Sequence, residues 1–153
     1  MKRFHAPALV LLCTLLLGGG AFPQANVVVK EFVTVLVNRA VVRTDVPPIN
    51  VSGQTLVPVR GIFNAFGAEI DWFSIEKRVL IRQNSKVIQL KIGDASATVN
   101  NAVLPLAVPA MIYRGRTMVP LRFIAESLGA TVTWDASTQT ITIITPEQPS
   151  SSD

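Results

Sequence analysis

The chain has 153 residues, 49% of them apolar, with 14 Lys and Arg against 10 Asp and Glu, one histidine and one cysteine. That length suits one compact domain or two small units sharing a core. A lone cysteine excludes an internal disulfide framework, and a lone histidine excludes a copper site built from several imidazoles.

The N-terminus reads as a secretory signal peptide over 1–21. Lys2 and Arg3 precede an apolar run from Ala8 to Leu17, and Gly19 and Ala21 supply small residues at the −3 and −1 positions of a cleavage site. Cleavage is expected after Ala21, with Ala25 as the alternative. The run is short for a bilayer crossing, so no permanent membrane span is expected. Val10-Leu11-Leu12 lacks the small residue that precedes a lipid-modified cysteine. A mature chain from Phe22 loses His5 and Cys13 and keeps twelve basic residues against ten acidic ones. That small excess gives no reason to expect nucleic acid as a partner. Cysteine nucleophiles and Ser-His-Asp triads are excluded by composition.

From Val37 onward the chain is written twice. At a constant offset of 62, Val37 to Trp72 and Val99 to Trp134 agree at 15 of 36 positions without a gap, enough to read two tandem units at about 33–82 and 95–144. Each opens with a hairpin, VTVLVNRAVV around Asn38-Arg39 and ATVNNAVL around Asn100-Asn101, because Asn tolerates the left-handed turn conformation. Val46-Pro47 and Val108-Pro109 end these strands, and Gly53 and Gly115 mark turns before TLV and TMV. Pro58 and Pro120 suit a first helical turn. Val59, Ile62, Phe63 and Phe66, and again Leu121, Ile124, Ala125 and Leu128, form apolar stripes. Gly67 and Gly129 then cap helices of about nine or ten residues, too short to persist without a sheet beneath them. AEIDW and ATVTW return as strands and pair with RVLIR and TITII, while KVIQLKI between the units alternates as a half-buried strand. The expected fold class is α+β: two tandem repeats, each an antiparallel β-sheet curled around one short α-helix. The polar end, 146–153, reads as a disordered tail.

The run of Val-Pro, Gly-x-Thr-x-Val-Pro-x-Arg, a short helix, then Gly-Ala and Trp resembles the copper amine oxidase N-terminal-like domain family. Val46-Pro47, Gly53, Thr55, Val57-Pro58, Arg60, Gly67-Ala68 and Trp72 carry the likeness in the first unit. Val108-Pro109, Gly115, Thr117, Val119-Pro120, Arg122, Gly129-Ala130, Trp134-Asp135 and Thr140-Ile141 carry it in the second. The resemblance spans nearly all of 22–145. It implies an antiparallel sheet twisted around a helix, found in secreted and cell-envelope proteins and forming a stalk away from the catalytic domain in the oxidases. Two departures stand out: Phe73 where the second unit has Asp135, and Asn38-Arg39 where Asn-Gly is more usual.

The copper of that family name meets no histidine in a chain from Phe22, and Tyr113, the only tyrosine, lies in no quinone-forming motif. No enzyme activity and no cofactor are expected. Glu69 and Asp71 form the one close carboxylate pair on a strand face, better read as solvated than as acid and base. Arg60 and Arg122 can grip a carboxylate, but their neighbours favour hydrogen bonds to loop carbonyls or packing of the stem. Trp72 and Trp134 can stack on sugar rings, but a disulfide-free domain favours them as core fillers. These four are the candidate ligand residues; no catalytic or metal residue is assigned. The reading is a non-catalytic secreted module of the cell envelope or extracellular space, mediating protein or cell-wall interaction, with carbohydrate or peptidoglycan binding as the alternative. Its expected partners are wall polymer or an envelope protein.

Overall fold

A computed structural model describes residues 27–29 and 33–147. The signal peptide, its cleavage site, His5, Cys13 and residues 148–153 of the tail lie outside the described residues. The chain begins with strands β1 (Val27–Val29), β2 (Thr34–Val37), β3 (Ala40–Val42), β4 (Ile49–Val51) and β5 (Gln54–Pro58). Helix α1 (Val59–Phe63) and a 3-10 turn over Asn64–Phe66 follow, then β6 (Glu69–Phe73), β7 (Arg78–Gln83) and β8 (Lys86–Lys91). The second half brings β9 (Ser96–Val99), β10 (Ala102–Pro105), β11 (Met111–Tyr113) and β12 (Arg116–Pro120). It closes with α2 (Leu121–Ser127), β13 (Thr131–Asp135) and β14 (Thr140–Ile144). The protein is mostly β-sheet with two short helices, and no helix among the described residues is long and apolar enough to cross a membrane.

The local signals act as their chemistry dictates. Asn38-Arg39 and Asn100-Asn101 all take positive φ, so both hairpins close through two left-handed residues even with arginine in one of them. Both helices end in the same hydrogen-bonded motif. Ala68 N–H donates to Phe63 and Gly67 N–H to Asn64, as Ala130 does to Ala125 and Gly129 to Glu126. The glycines supply the left-handed residue, at φ 76° and 87°. The helices are shorter than the stripes predict, because Pro58 and Pro120 are extended and finish strands instead of opening helices. The first also tightens into its 3-10 turn after Phe63. Their apolar faces are buried as expected: Ile62, Phe63, Ile124 and Ala125 are fully inaccessible. Burial of each larger side chain contributes about 1.5–3 kcal/mol, which sustains helices too short to form alone.

The predicted division into one sheet per unit is not what forms. The strands make three sheets, and the central one, ordered β1-β4-β5-β12-β11, draws on both halves. Its middle pair sets Val57 directly opposite Val119. The opening hairpin β2-β3 joins β14 and β13 of the second half, and β2 runs parallel to β14, so the fold is not wholly antiparallel. The hairpin β9-β10 joins β8, β7 and β6 of the first half. Strand β1 lies outside the expected units; its backbone adds to β4, with Val28 opposite Asn50. The cause is burial: the helices lie together on one face of the central sheet, and neither half alone covers both. One core therefore takes Val57 and Val119 from the central sheet, Ile141 and Ile143 from the second, Ile81 and Ile88 from the third, and the stripes of both helices. Leu56, Met118, Ile49 and Val51 form a smaller core on the opposite face.

Candidate functional site

Alternation along β6 sends Ile70 and Trp72 toward the core, where Trp72 stands opposite Val79 of β7. Glu69 and Asp71 point the other way, and Arg82 of β7 lies 3.5 Å and 2.5 Å from their carboxylates. They form a surface ion cluster with an arginine rather than an acid-base pair. The same alternation on β13 places Val132 and Trp134 together, with Trp134 opposite Ile141. The two tryptophans part company here. Trp72 is half-buried against the core, whereas Trp134 is 41% exposed and so does not fill it as expected.

Beside each tryptophan lies a cleft. The first encloses about 570 Å³ and is lined by Arg60, Ile70, Trp72 and Val79 from the first half. Its other wall is the β11-β12 hairpin of the second half, with Ile112, Gly115, Arg116 and Thr117. The second encloses about 410 Å³ and reverses the contributions. Arg122, Val132, Trp134 and Ile141 come from the second half, and Asn50, Gly53, Gln54 and Thr55 from the β4-β5 hairpin of the first. The structure thus brings Arg60 to Trp72 and Arg122 to Trp134, but in separate clefts. Each cleft exists because β5 pairs with β12 in the central sheet, which sets a hairpin of each half against the helix and return strands of the other.

Arg60 and Arg122 are exposed, and neither guanidinium makes a hydrogen bond or ion pair with a described residue. Among the described residues, the expected bonds to loop carbonyls do not form. The first cleft has an additional polar pair. Arg116 Nε donates to Asp45 Oδ2 at 2.7 Å, a second guanidinium nitrogen contacts the same oxygen, and these bonds hold the Asp45 carboxyl below the usual carboxylate range. In the second cleft Gln54 stands where offset places Arg116, and Asn50 accepts from Gly53 N–H at 3.1 Å, which braces the turn. A third depression, of about 390 Å³ over β8 and β9, is lined by Gln89, Thr98 and Asn100 and has neither an aromatic nor a charged lining residue.

Sequence reasoning missed the hairpin wall. Thr55 and Thr117 were visible in the repeat, but read only as strand residues after a turn. Asp45 and Arg116 lie 71 positions apart with no pattern joining them. For copper the donor set does not fit: among the described residues no group of three or more His, Cys, Asp or Glu could hold a metal ion.

Two short helices enclosed by three sheets, with paired Arg-Trp clefts, define a β-rich class of module. Residues 36–143 match the copper amine oxidase N-terminal domain, and the chain belongs to that family. That domain is the non-catalytic N-terminal module of those proteins. No curated protein matches the chain.

Proposed function

We propose that this protein is a secreted, non-catalytic module of the cell envelope or extracellular space that holds wall polymer through its two clefts. The observation carrying the reading is the pairing, in each cleft, of an unengaged arginine with a tryptophan, above an apolar floor and opposite a threonine. An indole face and a few convergent polar groups are what a sugar ring needs from a shallow site. The layout of 1–21 supports export, and the family supports a module without chemistry of its own.

The module is a duplicated unit. An offset of 62 carries β2 to β7, and α1 with them, onto β9 to β14 and α2, which supports duplication followed by exchange of the opening hairpins.

Docking of an envelope protein is the second reading. It draws on the outer edge of β11, which no described strand covers although its counterpart β4 carries β1. Sedimentation with purified wall sacculi separates the two. Wall binding predicts that the protein pellets and that the Trp72→Ala, Trp134→Ala double variant stays in solution. Wild-type protein left in the supernatant contradicts it.

A further inference from the structure

We infer that each cleft takes a carboxylate-bearing sugar unit, with the arginine on the carboxylate and the indole against the ring, so that one molecule holds two such units. The inference rests on the saccharide reading above and narrows it to an acidic ligand.

All nine residues lining the second cleft have a counterpart at offset 62 in the lining of the first. Four pairs are identical: the turn glycine, the threonine, the arginine and the tryptophan. The floor changes size freely, from Val59, Ile70 and Val79 to Leu121, Val132 and Ile141. Within these linings the arginine, threonine and tryptophan facing the cleft are written identically while the apolar floor varies.

Charge points the same way. Where this surface sets arginine near acid it forms pairs, as Arg82 does with Asp71 and Arg116 with Asp45. Arg60 and Arg122 are left out of such pairs, and both linings carry a net single positive charge. In the first, Arg60 and Arg116 face Asp45; in the second, Arg122 is the only charged residue. A guanidinium presents a planar fork that matches a carboxylate through two parallel hydrogen bonds, which a hydroxyl cannot replace. The indole offers an apolar face to ring C–H groups, and the threonine across the cleft offers a hydroxyl to the ring substituents. A neutral sugar would offer the guanidinium only uncharged hydroxyl acceptors, without the charge and paired geometry of a carboxylate.

Calorimetric titration at about 0.15 M salt, where bulk charge attraction is largely screened, tests this with tri-galacturonic acid, its methyl ester and an acidic peptide of equal charge. The acid should bind at two sites per molecule and the ester at least about tenfold more weakly. Arg60→Gln and Arg122→Gln should each remove one site's preference for acid over ester, and the double variant should bind both sugars alike. Both arginines are exposed, and circular dichroism checks that the variants remain folded. Equal affinity of the wild type for acid and ester overturns the carboxylate inference but leaves the saccharide reading standing. So does sacculus binding without binding of the acid. Binding of the peptide more tightly than either sugar overturns the inference in favour of a protein ligand. Failure on sacculi and on both sugars overturns the saccharide reading itself.

Discussion

Gly61 lies against Thr44: a Cβ on this helix residue would stand 2.6 Å from Thr44 Cγ2. Thr44 cannot turn away cheaply, because its hydroxyl donates to the Val46 carbonyl at 2.8 Å. In an open helix, Gly→Ala gains about 1 kcal/mol of helix propensity. Here overpacking costs about 1–3 kcal/mol and outweighs that gain. Gly61→Ala should lower the urea midpoint, and adding Thr44→Ser, which keeps the hydroxyl and removes the methyl, should restore it. Asp45 gives a pH signature. Its hydrogen bond with Arg116 lowers the folded-state pKa, so the unfolded chain binds the proton more tightly. The stabilisation is complete above the unfolded value of about 3.9 and fades as pH falls through the lower folded value. Asp45→Asn should therefore cost more stability at neutral pH than under acid conditions, as denaturant titrations at several pH values would reveal. Being exposed at the surface, the pair should also weaken with salt.

At the scale of elements, legibility followed locality. The hairpin asparagines, apolar stripes and capping glycines act within a few residues, and each formed what its chemistry predicts. Gly129→Ala tests one such signal. Among the described residues only Pro146 Cγ, at 3.5 Å, lies near a new Cβ, so the cost is the left-handed backbone at φ 87°. The expected loss is about 1–2 kcal/mol, read from the urea midpoint. The departure at Phe73 also resolves at this scale. In the second unit Asp135 accepts from Ser137 N–H at 2.9 Å and Thr138 N–H at 3.3 Å, which braces the turn. In the first, Arg78 sits over the Phe73 ring at 4.1 Å, closing the same hairpin end by cation-π contact. Two chemistries serve one turn. Helix length was less legible, because whether a proline ends a strand or opens a helix depends on the strand beside it.

At the scale of the molecule, strand partners were the part the sequence hid. Alternation in β2 says that Val35 and Val37 face a core, but not that the neighbouring strand is β14. The clefts were hidden for the same reason: Arg60 and Trp72 could be named, but their opposite wall comes from the other half. This crossing predicts that residues 33–82 and 95–144, expressed separately, will not unfold cooperatively. Mixed in equal amounts, they should recover native-like circular dichroism; independent folding of either half would contradict the shared core. The central claim is that the Arg-Trp clefts are the binding sites, and the protein's two tryptophans report on them directly. In an NMR titration with soluble wall fragments, the indole N–H signals of Trp72 and Trp134 should both shift and saturate, together with amides of the two hairpin walls. Saturable binding that leaves both indole signals unmoved would contradict the account.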